Sequence, residues 1–217
     1  MSHSNVEIED KTKQLALRKA VILKEAYKRD PYLWLIQCCK TWDEHDSVTP
    51  VKSFPDKPYL REIAKYCHNE NIIHVAKSRQ MLISWLIIAL LLHEAEFFDY
   101  RLEAIFSKKE DDAFLLVERA KFIYSHQPVW LKNMCPLDRK MRDMPLGHLF
   151  FGNGSQIRGL AQGKDQIRSY VPTTVFIDEA AFQDKLEETY NACVPCAKKI
   201  ITVSSAENGF FQRLVEL

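Results

Sequence analysis

Residues 71–92 read NIIHVAKSRQMLISWLIIALLL, and their pattern decides the fold. The first six, Asn71–Ala76, form a short β-branched run of the kind that makes a buried strand. A basic and polar segment, Lys77–Ser84, follows. The apolar run Trp85–Leu92 then opens a stretch that predicts a helix to about Phe98. A strand, a loop and a helix in that order form the unit that gathers backbone N–H groups and a helix N-terminus around a phosphate.

Outward from this stretch the alternation continues. Residues 103–107 (EAIFS) predict a strand and 108–125 an amphipathic helix with acidic residues in its first turn. The Gly-Asn-Gly within HLFFGNGSQIRGL (148–160) predicts a tight hairpin between two short strands. TTVFID (173–178) reads as another buried strand, 184–194 as a helix and KIITVSS (199–205) as a final strand. On the N-terminal side, 10–29 has helical periodicity ended by Asp30-Pro31, and a second helix is predicted over 32–42. The three prolines of 43–58 predict a surface loop, and helix-like 61–70 leads into the central strand. Strands alternating with helices imply an α/β fold, a mostly parallel sheet flanked by helices. Residues 1–49 form an N-terminal helical extension and 50–217 the main domain.

Composition agrees with a packed core: 47% of the 217 residues are hydrophobic and 27% charged. A net charge of +1 excludes a histone-like or strongly polyanionic chain. Residues 1–30 mix charges without an apolar core, which predicts no secretory leader. The eight-residue run Trp85–Leu92 is too short to span a bilayer. The six cysteines lack framework spacing and read as reduced thiols. Cys193 and Cys196 have CxxC spacing, open to a zinc or redox role or to two packed thiols near a turn. The histidines at 68, 74, 93, 126 and 148 show no ligand spacing. All six glycines lie at or beyond Gly147, so a phosphate loop at 77–84 must work without glycine.

Against the pattern GxxxxGK[ST], the window Lys77-Ser78-Arg79-Gln80-Met81-Leu82-Ile83-Ser84 fits only at Ser84, whose hydroxyl would face Mg²⁺. Leu82 and Ile83 stand where glycine and lysine belong. Taken alone, the window reads as a basic, polar βα turn rather than as a phosphate loop. Val175–Ala180 (VFIDEA) is stronger, with Asp178 and Glu179 at the carboxyl end of a buried strand, where α/β sheets bind ligands. In an ATPase the aspartate holds the metal shell and the glutamate polarises the attacking water; alternatively the pair caps a helix. A later strand ending in Ser204 and Ser205 falls where a γ-phosphate sensor would lie.

These windows, in this order, resemble the ATPase domain of the large terminase subunit, the DNA-packaging motor of tailed bacteriophages and related viruses. Lys77, Arg79-Gln80 and Ser84 are similar to a form of the family's phosphate loop whose lysine sits at the loop start. The resemblance implies that Lys77 places its charge on the β/γ-phosphates, that Ser84 and Asp178 hold Mg²⁺ and that Glu179 is the general base of ATP hydrolysis. It assigns Ser78–Ile83 to the ATP-binding loop and Tyr59 to the adenine, in a segment lacking the family's glutamine. Ser204-Ser205-Ala206 resembles the coupling motif. Arg168, in GKDQIRSY (163–170), resembles an arginine preceding the acidic strand and is expected to act on a neighbouring subunit's nucleotide; Arg79 is the competitor, acting within its own chain.

The resemblance covers about residues 50–217. It further implies double-stranded DNA, a portal protein and a small terminase subunit as partners. A ring on the procapsid, built from chains monomeric in isolation, no membrane partner, and a place in the host cytoplasm complete its expectations. The family's C-terminal nuclease has no counterpart here, which predicts the motor domain of a longer protein. A helicase-like ATPase and a non-catalytic scaffold with a degenerate nucleotide site are the rival readings.

Overall fold

The computed structural model describes residues 3–138, 145–167, 170–205, 207 and 209–216, with backbone only for 3–10 and Lys164. Strand β3 (Ile72–Ala76), helix α4 (Ile83–Phe97), strand β4 (Leu102–Phe106) and helix α5 (Glu110–Ser125) follow the predicted alternation. The hairpin strands β5 (His148–Phe150) and β6 (Gln156–Leu160) pair antiparallel. Strands β7 (Thr174–Asp178) and β8 (Lys199–Ser204) complete a six-stranded sheet in the order β3-β8-β7-β4-β6-β5. The first five strands in that order are mutually parallel. Strand β3, which leads into 77–84, and the acidic strand β7 therefore flank β8 and are not neighbours.

Both faces of the sheet are covered, as a parallel sheet requires. On one face, α4 is apolar all round and buried along nearly its whole length. With it pack α5, the short helix α6 (Val129–Met134) and the N-terminal helices α1 (His3–Arg29), α2 (Pro31–Cys38) and α3 (Pro58–Asn69), joined by Trp34, Leu35 and Leu60, each wholly buried. His93 of α4 fastens α1: its ring Nε2 donates to the Tyr27 carbonyl at 2.8 Å. Burial pushes His93 down to about 4, so the imidazole is neutral at physiological pH. The other face is covered by α7 (Lys164–Ile167), α8 (Leu186–Cys193) and α9 (Phe210–Val215) around Phe106, Ile177, Tyr190 and Phe211.

Two expectations need correction. The helix predicted over 32–42 ends at Cys38, and Lys40–Trp42 is instead a strand, β1. The predicted loop 43–58 contains β2 (Val51–Ser53), which pairs antiparallel with β1. Short apolar runs suit either period. Here the strand wins because Trp42 meets Phe122 edge-on at 5.9 Å and the Lys40 ammonium donates to Ser53 Oγ at 2.8 Å. Cys193 and Cys196 are free thiols, Cys196 Sγ donating to the Ala192 carbonyl at 3.3 Å. Burial pushes both thiols up, Cys193 to about 12. They are two packed thiols.

Candidate functional site

Three strand ends build the site. At the end of β3 the chain enters 77–84, and Leu82 immediately precedes α4 with φ +56°. Gln80 also takes the left-handed region, at φ +62°. The loop therefore turns with a glycine-type backbone at the position where the phosphate-loop pattern asks for glycine, though a leucine occupies it. No side chain caps α4, which leaves its first-turn N–H groups to whatever binds there. Ile83 points away, 2% exposed, into the core. Lys77 and Arg79 are the cations of this loop, and Arg79 is exposed.

Asp178 ends β7 at 5% exposure, and Ser84 Oγ donates to its Oδ1 at 2.9 Å. The two windows, 94 residues apart, thus meet. Burial raises the Asp178 carboxyl above the ordinary carboxylate range, while the Ser84 hydroxyl pulls the other way. Glu179 follows at φ +49°, so its side chain leaves in a different direction from Asp178. Its Oε1 stands 3.4 Å from Lys77 Nζ, with the lysine side chain 9% exposed and the glutamate 42%. The cation is enclosed and the carboxylate is open to water.

Ser204 ends β8 between them. Its carbonyl accepts from the Lys77 N–H at 2.9 Å and its Oγ from the Ala181 N–H at 3.1 Å. One residue therefore fixes both the loop start and the turn that carries Glu179. Gln183, unnoticed in the sequence, steadies the same turn by donating from Nε2 to the Asp178 carbonyl at 2.8 Å. Tyr59 in the first turn of α3 donates its hydroxyl to the Met81 carbonyl at 3.2 Å, placing its exposed ring beside the loop. His45, in the β1–β2 connection, reaches Gln80 at 3.4 Å, a contact no local pattern signals. Lys77, Ser84, Asp178, Glu179 and Ser204 are brought together. Ser78, exposed, and half-buried Ser205 flank them. Arg168 and Ala206 lie outside the described residues.

The donor set suits Mg²⁺. A hydroxyl and one carboxylate are hard oxygen ligands, and Mg²⁺ commonly takes only one or two protein ligands beside water and phosphate. Among the described residues no group of three or more His, Cys, Asp or Glu side chains is placed to hold a metal by itself.

The carboxyl edge of a mostly parallel α/β sheet thus gathers a loop, a carboxylate pair and a helix N-terminus that no side chain caps. The fold is like that of phage large-terminase ATPase domains. The chain is similar to the HK97 bacteriophage large terminase, with a TM-score of 0.61 and 11% identity, over 81% of this chain and 36% of that one. It is also similar to a mutant form of the Thermus phage P74-26 large-terminase ATPase domain, at TM-score 0.50 and 14% identity, over 74% of this chain and 69% of that one. This chain thus spans about a third of the length of the HK97 protein. No protein-family model matches it, and no curated protein does.

Proposed function

We propose that this chain is the ATP-hydrolysing motor domain of a viral DNA-packaging terminase. The observation that carries the reading is the Ser84–Asp178 contact, which joins loop and acidic strand into one oxygen-lined site. The likeness of fold supports the same direction.

In this reading the triphosphate lies over the loop, its oxygens accepting from the first N–H groups of α4. Lys77 supplies the positive charge from the loop's start, its four-carbon stem letting the ammonium reach across. Ser84 and Asp178 hold Mg²⁺, which neutralises phosphate oxygens when bound. Glu179 accepts the proton of the attacking water. To reach phosphate, Lys77 gives up the Glu179 carboxylate and so frees the base. Tyr59 stacks on the adenine, Arg168 serves a neighbouring subunit's nucleotide, and the 204–206 segment relays the outcome. The motor works on double-stranded DNA with portal and small-subunit partners, in a ring on the procapsid in the host cytoplasm. No helix among the described residues is long and apolar enough to cross a membrane.

Titration with a fluorescent ATP analogue tests this. Saturable, Mg²⁺-dependent binding that Asp178→Asn weakens is the expected result. Absence of binding at millimolar nucleotide overturns it in favour of a scaffold.

A further inference from the structure

Helix α4 carries Ser84 at one end. About 20 Å along its axis, at 1.5 Å per residue, its other end borders a cavity. This cavity, about 470 Å³ in volume, lies between α1, the end of α4 and the segment leading into β4. Its charges are layered. Exposed Glu25 and Asp99 stand at the mouth, while Lys24, Lys28 and Arg101 are half-buried further in. Glu96 is deepest, at 3% exposure.

The inner groups are incompletely satisfied. Glu96 Oε2 accepts from Gln127 Nε2 at 3.1 Å, but its Oε1 has no hydrogen-bond partner. Arg101 Nε is closed off from solvent and also lacks one, its nearest carboxylate being Glu94 at 3.8 Å. Lys28 and Arg101 both lie over the Phe98 ring, at 4.9 and 5.1 Å from its centroid. Lys24 donates to the Met134 carbonyl at 3.3 Å and lies beside the Cys135 thiol. Among the described residues, three cations thus line this cavity with no carboxylate within hydrogen-bond distance of any of them, the Glu94 ion pair of Arg101 being 3.8 Å long. A buried donor left unpaired costs free energy that a bound acceptor would return. Burial pushes Glu96 up to about 8, so near neutrality its carboxyl carries a proton and can donate as well.

We infer that this cavity is a second oxyanion site, which takes the phosphate group of a small phosphate ester between Lys24, Lys28 and Arg101. Arginine's fork and two ammonium groups suit phosphate. The volume exceeds one phosphate and leaves room for a compact organic remainder reaching Glu96. The acidic mouth repels a polyanion and so selects a small free ester over a nucleic-acid backbone. The inference does not depend on nucleotide chemistry at the loop.

The test is amide NMR of the whole chain titrated separately with inorganic phosphate, glycerol 3-phosphate and a short DNA duplex. The two small probes should give saturable shifts at 98–101 and 24–28. The Lys24→Gln/Lys28→Gln double variant should weaken them at least tenfold, and Arg101→Gln, made independently, should do the same. Shifts at 77–84 should be equal in wild type and variants. No shift at 98–101 in the wild type at tens of millimolar probe overturns the inference. Shifts that survive in both variants, or that the duplex alone produces, overturn it too.

Discussion

Lys77 Nζ lies 3.4 Å from Glu179 Oε1, although the strands that deliver these residues are separated by β8. Adjacent strands lie about 4.8 Å apart, so the pair closes a gap about 10 Å wide at the backbone. An enclosed cation facing a more open carboxylate is the arrangement that a phosphate can enter by displacement.

The first prediction concerns this pair. Glu179→Gln keeps shape and removes the proton acceptor, so ATP should still bind while turnover falls about 10²-fold or more. Lys77→Ala should abolish hydrolysis with the circular dichroism spectrum unchanged. Steady-state phosphate release checks both, and near-normal turnover in either variant would remove that residue from the mechanism.

Ser204→Ala leaves the Ala181 N–H without its acceptor. An unpaired buried donor costs about 1–3 kcal/mol, to be read from urea unfolding. Because the lost bond positions the turn bearing Glu179, kcat should fall further than KM changes. Equal loss in both would mark Ser204 as a fold residue alone.

Leu82→Gly tests the left-handed loop position. A leucine there carries about 1 kcal/mol of backbone strain, whose relief offsets the loss of a half-buried side chain. Stability should change little. ATP should bind about 3–10-fold more tightly as backbone and phosphate approach more closely, the worth of about 1 kcal/mol. Weaker binding in a calorimetric titration would contradict this.

A fourth prediction is pH-dependent. Glu103 on β4 is wholly buried opposite Thr174, and burial pushes its carboxyl from 4.5 up to about 8. Between those values the native chain holds a proton that the unfolded chain has released, so stability falls as pH rises through that window. Glu103→Gln should lessen the slope, with Glu96 retaining its own share. Each kcal/mol recovered near pH 8 should show as about 2–4 °C in melting temperature for a chain of this size. An unchanged slope would mean that Glu103 is already ionised when folded.

How much of this was legible differs by element. The central strands announced themselves because a buried parallel strand is a short β-branched run between turn formers, and IIHVA and TVFID are both of that kind. Asp178 and Glu179 were readable for the same reason, since their place at a strand end is local. The β1–β2 pair was not, because KTW and VKS are each too short to show a period and become strands only by pairing. The double role of Ser204 was likewise hidden: strand order is a property of the whole sheet, and nothing in KIITVSS says that β3 and β7 lie on either side of it. Gln183 and His45 act through the turns that deliver them.

The position of β8 has a mechanical consequence. Beyond Ser204 the chain runs on to α9, which packs against β3 and against the turn after β7. A pull on that segment would be felt at the start of the 77–84 loop and at the turn that carries Glu179 together, because Ser204 accepts from the Lys77 N–H and from the Ala181 N–H. A load on α4 would reach the acidic strand through Ser84 and its bond to Asp178. The exit of the chain from the sheet is therefore the handle through which tension on the chain would open or close the distance between the Lys77 ammonium and the Glu179 carboxylate.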